Sequence, residues 1–272
     1  MQQLIWFRND LRISDNSALH AALQAGPTVA VFLLSPGQWL AHDAAACKID
    51  FILRNLVELK KSLATLNVPL LIRTADQWQQ APKVLAELCQ QLNISAVHVN
   101  TEYGIHESQR DMAVGADLVD QGVLFHSHLD RILFKPGTVL TQSGTYFKEL
   151  SQFRKTCYQY LDEHIPACLD TPQAQAALSI NSDPIPTQVA GFAAIEPERQ
   201  ALWLAGETEA QRRLALFSQA ALADYAEQRD LPAKAGTSQL SAYLVAGVIS
   251  IRQCLHAALA ANQGEFATGN QG

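Results

Sequence analysis

Apolar residues form two kinds of run along this chain. Short continuous runs at 4–7, 29–34, 69–73, 96–100 and 123–126 have the length and the β-branched or aromatic content of buried strands. Between them apolar positions recur every three or four residues. One such stretch carries Ile49, Ile52, Leu53, Leu56, Leu59, Leu63 and Leu66, and another Val84, Leu85, Leu88 and Leu92. That spacing predicts amphipathic helices. Alternation of the two patterns over residues 1–130 predicts an α/β fold, a parallel sheet covered on both faces.

The pattern fades after residue 130 and is lost from His164 to about Gly206, where Pro166, Pro172, Pro184, Pro186 and Pro197 fall among small and polar residues. This stretch reads as a long connector. Helical spacing then returns. Leu214, Phe217, Ala221 and Tyr225 share one predicted face, Leu240 and Leu244 a second, and Ile251, Leu255 and Leu259 a third. Thr208 with Gln211, and Ser250 with Gln253, fit capping boxes. Gly247 is placed to end the middle helix, and residues 261–272 read as loop. Such short helices must each bury a face against something else. The predicted division is 1–130, 131–206 and 207–272.

Composition narrows the class. Of 272 residues, 48% are hydrophobic and 17% charged, which suits a chain that buries a sizeable core. No apolar run reaches membrane-spanning length, and the start lacks a basic leader. Five scattered cysteines with no CxxC suggest a reducing, cytoplasmic setting without disulfides or a zinc site. The net charge of −6 does not by itself point to nucleic acid.

No GxGxxG, P-loop, GxSxG or metal-spaced Cys/His cluster occurs. His98 and His126, in strand-like runs, read as satisfied core or edge histidines. The first strand ends in Trp6, Phe7, Arg8, Asn9, Asp10, Leu11 and Arg12, followed by Asp15 and Asn16. This lies at the carboxyl edge of the sheet, where open α/β folds bind ligands. A salt-bridged loop with Asp15 or Asn16 capping the next helix is the stronger reading. At the fourth strand's end, His106 and Glu107 hold the same edge. Glu107 could accept hydrogen bonds from a pterin-like ring or simply complement the helix dipole. Near the end, Tyr225, Arg229, Asp230 and Pro232 precede Gly236, Thr237, Ser238, Gln239, Leu240 and Ser241. The latter read as a helix start offering N–H groups and hydroxyls to a phosphate.

Together, the Trp6–Asn16 string and the Tyr225–Ser241 string, with Ser250 and Arg252, resemble the DNA photolyase/cryptochrome family. The likeness spans nearly the whole chain and is closest to bacterial cyclobutane pyrimidine dimer photolyases with a folate antenna. It implies a Rossmann-like antenna domain, a connector, and the beginning of an all-α FAD-binding domain that the family continues beyond Gly272. By position, Tyr225, Thr237, Ser238, Gln239, Leu240 and Ser241 would contact FAD. His106 and Glu107 would hold an antenna 5,10-methenyltetrahydrofolate, with a deazaflavin as the alternative, and Arg229 would lie near the DNA backbone. No metal is implied, and no side chain of this chain would be catalytic, because the flavin carries the electron chemistry.

The resemblance further implies light-dependent repair of damaged DNA by a cytoplasmic monomer with no membrane partner. A cryptochrome-type photosensor and a stand-alone antenna-binding fragment are the alternatives. Three departures from the family pattern stand out. His106 occupies a position where Asn is common, Gln239 one where Arg or Lys is common, and Glu149-Leu150 one where a Val-Phe pair is usual. Little FAD is expected on the 272-residue chain, since cofactor pockets bury most of their ligand.

Overall fold

A computed structural model describes residues 1–266. All five predicted strands form: β1 (Gln2–Phe7), β2 (Thr28–Leu34), β3 (Leu70–Thr74), β4 (Ile94–Asn100) and β5 (Leu124–His128). They make one parallel sheet in the order β3-β2-β1-β4-β5. Side chains alternate between its faces. Ile5, Phe7, Ala30 and Phe32 join α1 (Ser17–Ala25) and α3 (Ala46–Thr65) in one core, and the short α2 (Pro36–Ala41) lies between those helices in sequence. Leu4, Trp6, Val31, Val97 and Val99 join α4 (Ala81–Leu92) and α5 (Ile105–Asp120) in the other. The strand order reverses between β1 and β4, so the crevice at their carboxyl ends is the fold's default ligand position.

After α6 (Leu150–Glu163) the connector is irregular, as its composition predicts, but it is pinned to the sheet. The amide of Gln175 donates to Thr28 O at 2.8 Å and accepts from Thr28 N at 2.7 Å, standing in for a strand partner. Asp183 N donates to Leu70 O at 2.9 Å, and its carboxylate accepts from Ile72 N at 2.9 Å. Arg73 closes the link to Asp183 at 2.6 Å. The exposed edge of β3 is thereby covered. A short helix, α7 (Pro197–Leu202), which the hydrophobic pattern does not show, follows.

The helical segment comprises α8 (Glu207–Leu216), α9 (Tyr225–Gln228), α10 (Ser241–Ala246) and α11 (Ile251–Ala261). Three expectations are corrected here. The long stripe from Leu214 to Tyr225 is not one helix, because a π-helical turn at Phe217–Ala221 interrupts it. Thr208 and Gln211 form no capping box: α8 begins at Glu207 with Gly206 as its cap. Helix α10 opens at Ser241 rather than at the Thr237–Ser238 pair. The box of Ser250 and Gln253 does form, with both reciprocal bonds at 2.9 Å. Gly247 ends α10 in the left-handed region at φ 66°. The loop-like tail expected to run to Gly272 lies outside the described residues from position 267.

Leu214, Leu240, Tyr243 and Ala246 belong to the same core as α1 and α3. Tyr243, fully buried, meets Phe51 edge-on at 5.4 Å, and its hydroxyl donates to Leu204 O at 2.8 Å.

Candidate functional site

The β1–β4 crevice is filled by the chain itself. Leu11 N donates to Ala246 O at 3.1 Å, and Arg12 donates to Gly247 O at 3.0 Å. A Cβ at Gly247 would collide with the Asn9 carbonyl, so only glycine fits. Beneath this contact Arg12 pairs with Asp130 at 2.6 Å, and Arg252 pairs with both Asp15 and Asp130 at 2.9 Å. Ser250 Oγ donates to Asp15 as well. Asp15 and Asp130 are buried. Burial opposes ionisation of Asp130, but Arg12 and Arg252 hold its pKa below the usual carboxylate range. Asn16 caps α1 by accepting from Leu19 N at 3.0 Å. The structural reading of the Arg8–Asn16 loop therefore holds.

A second lattice adjoins it. Glu102 accepts from Arg110 at 2.8 Å, Arg131 at 3.1 Å and Asn9 at 2.5 Å. Burial works against its charge, yet Arg8 and Arg110 bring its pKa down to about 2. The guanidinium groups of Arg8 and Arg110 lie over the Trp6 ring at 4.7 and 4.8 Å, and that of Arg110 also faces Trp78 at 4.9 Å. This stack leaves a cavity of about 60 Å³. One water needs roughly 10–15 Å³ by the same measure. As it stands the cavity has room for a few waters.

His106 and Glu107 sit just outside, on the first turn of α5. His106 is exposed, and its ring lies 5.5 Å from that of His42, which in turn meets Trp78 edge-on at 5.5 Å. The Glu107 carboxylate folds back against Gly104, the N-cap of α5, as a first-turn acid does. Flat rings with an acceptor beside them form an open ledge. His42 and Trp78 are additions that the sequence reading missed. Only the fold brings them beside α5.

The predicted phosphate segment is a turn. Gln239 has φ 52°, in the left-handed region, and Leu240 is right-handed helical. Residues of opposite hand in succession turn their N–H groups toward one point. Among the described residues, the N–H groups of Thr237, Ser238, Gln239 and Ser241 have no acceptor, whereas Leu240 N donates to Ser238 Oγ at 3.4 Å. Thr237 and Ser241 are exposed and Ser238 is half-buried. Such a turn fits an anionic phosphate. The Leu240 side chain points into the core, so only its backbone belongs to the turn. Gly236 lets α9 approach, since a Cβ there would lie 2.6 Å from Gln228 Cβ.

Where Gln239 replaces a common cation, Arg213 reaches in from α8, donating to Gln239 Oε1 at 3.3 Å. No motif flags Arg213. Tyr225 is 37% exposed and packs edge-on against Phe217 at 5.7 Å. Arg229 stacks over the Tyr225 ring at 5.8 Å and lies 3.6 Å from Asp230. Among the described residues no helix is long and apolar enough to cross a membrane.

Comparison with known proteins places the fold. The sequence model of the family described as DNA photolyase matches residues 3–173. A deoxyribodipyrimidine photo-lyase of Vibrio cholerae is 36% identical, the match covering 93% of this chain and 54% of that protein. A bacterial class III photolyase from Agrobacterium tumefaciens superposes with a TM-score of 0.77 at 28% identity, covering 94% of this chain and 52% of the other. A cryptochrome of Synechocystis (TM-score 0.79, covering 98% and 57%) and an archaeal photolyase from Sulfolobus tokodaii with two FAD molecules (0.71, covering 94% and 54%) share the fold, each at 22% identity. The chain spans about half the length of the curated photo-lyases it matches.

Proposed function

The chain belongs to the DNA photolyase family, and from that premise we propose that it supplies the antenna-binding half and the flavin-phosphate turn of an enzyme that repairs cyclobutane pyrimidine dimers in DNA with light. The observation that carries this reading is the turn at Thr237–Ser241. It combines N–H groups without acceptors, three hydroxyls and a left-handed residue at the positions that, by the resemblance, would contact FAD. The proposed organisation is an antenna-binding unit over 1–130, a connector over 131–206, and the first part of the flavin-binding unit from 207.

When bound, reduced FAD supplies the photoexcited electron that splits the dimer, and the protein's share is binding and orientation. Thr237, Ser238, Gln239 and Ser241 would clamp the pyrophosphate through N–H and hydroxyl donors, with the Leu240 backbone completing the turn. Arg213 holds Gln239 in place, its own charge paired with Glu209 at 2.8 Å. Tyr225, fixed by Phe217 and Arg229, would line the flavin side. Arg229, half exposed, would meet the DNA backbone. His106, Glu107 and His42 would seat a methenyltetrahydrofolate on the outer ledge, where two imidazole rings lie beside the Glu107 carboxylate.

The test is photoreactivation. The full-length gene is expressed in photolyase-deficient bacteria, which are irradiated with ultraviolet and then blue light. Survival is expected to rise with blue light and to fall when Ser238→Ala and Thr237→Ala are combined. No light-dependent survival, with folded protein present, would overturn the repair reading in favour of a photosensor or a non-catalytic antenna protein. Separately, the purified chain is titrated with methenyltetrahydrofolate. Binding that is unchanged in the Glu107→Ala, His106→Ala double variant would remove the antenna assignment.

A further inference from the structure

Neither candidate site uses the imidazoles at the outer edge of the sheet. His98 on β4 pairs in register with His126 on the edge strand β5, and His128 follows two residues on, so all three project from one face. The His98 ring lies 5.0 Å from that of His126 and 5.4 Å from that of His128, nearly parallel to the latter. His98 is buried, and its Nε2 faces Gln3 Oε1 at 3.1 Å. The amide nitrogen of Gln3 donates to Met1 O at 3.1 Å and to Ser95 Oγ at 3.2 Å, so its oxygen is the end presented to His98. His98 Nε2 therefore carries the proton. Its Nδ1 turns a lone pair toward His128 Nε2, 3.2 Å away.

That separation has a second meaning besides a hydrogen bond. Two nitrogens held by one tetrahedral zinc ion, each about 2.0–2.1 Å from it, lie roughly 3.3–3.4 Å apart. An imidazole whose other nitrogen donates to a fixed carbonyl is oriented as metal-bearing histidines are. Among the described residues, no three His, Cys, Asp or Glu side chains already converge on one metal point. A third ligand must swing in, and His126 is exposed, directly across from His98, on a strand with a free edge. We propose that His98 Nδ1 and His128 Nε2, joined by His126 after rotation of its side chain, bind one divalent first-row transition-metal ion, zinc foremost, with water completing the shell.

Cobalt(II) is the probe, since its visible absorption reports both coordination number and ligand type. Added to the reduced chain near pH 7.5, it is expected to bind with one equivalent per chain. Its spectrum should be that of a four-coordinate nitrogen site, free of thiolate charge-transfer absorption, and zinc should displace it. His128→Ala is expected to weaken binding at least about tenfold, and Gln3→Met, which unlocks the His98 tautomer, about 10- to 100-fold. His126→Ala should convert the spectrum to that of a weakly absorbing six-coordinate ion. A circular dichroism spectrum like that of the parent shows that each variant is folded. No binding by the parent chain, a thiolate band, or affinity unchanged in folded His128→Ala would each overturn the site. An unchanged spectrum in His126→Ala would overturn the third ligand.

Discussion

Glu102 shows how much of this chain's charge is structural. Its folded pKa of about 2 lies below the ordinary 4.5, so it stabilises the fold above pH 4.5 and loses that contribution as pH falls toward 2. The difference corresponds to roughly 3 kcal/mol. Asp10, raised by burial, works in the opposite direction over the acid range. Glu102→Gln is expected to lower stability in urea by roughly 3 kcal/mol at pH 7, with the gap to the parent closing between pH 4.5 and 2. A gap independent of pH would contradict the assignment. Arg252 makes a sharper case, because its removal leaves Asp15 and Asp130 buried with one fewer cation. Arg252→Ala should cost about 3–5 kcal/mol in chemical denaturation, more than Arg252→Met paired with Asp15→Leu, which removes both charges together.

At the scale of elements, the strands were legible because each is a nearly continuous apolar run between polar turns. Ser250 and Gln253 were legible because a capping box is local. Where the capping box at Thr208 fails, the deciding partners are distant in sequence. Gly206 caps α8 because its N–H finds Asn55 Oδ1 at 2.8 Å, and Glu207 turns to Ile13 N and Ser14 N, at 2.8 and 3.1 Å, instead of joining a box. The Leu214–Tyr225 stripe has good helical spacing, yet the π turn shifts its register. His128 went unnoticed because the fifth strand runs two residues past the apolar run. The candidate site divides the same way. Thr237–Ser241 was found as a string, but its geometry as a turn, and the approach of Arg213, His42 and Trp78, come from tertiary packing. The connector supplies a test at this scale. Asp183→Ala strips partners from Ile72 N and Arg73, and should cost about 1–3 kcal/mol. Faster hydrogen exchange is expected at Ile72, with β1 unaffected. Uniform loss of protection across the sheet would mean that the edge is not separately held.

For the whole molecule, the helical segment and the sheet share a core. Ala210, Leu214, Tyr243 and Ala246 pack with residues of α3, and the charged lattice under Gly247 ties the two parts together. One cooperative unfolding transition is expected, coincident for far-ultraviolet circular dichroism, tryptophan fluorescence and exchange of the α10 and α11 amides. Separate midpoints for α10 and β1 would show that the parts fold independently. The placement of α10 has a mechanical consequence. Its six residues make a rod about 9 Å long. One end is the donor turn at Gln239–Ser241, and the other is wedged into the sheet where the strand order reverses. A load applied at the turn is therefore borne by the backbone of the loop that follows β1, and a slackened wedge would detune the turn without touching it.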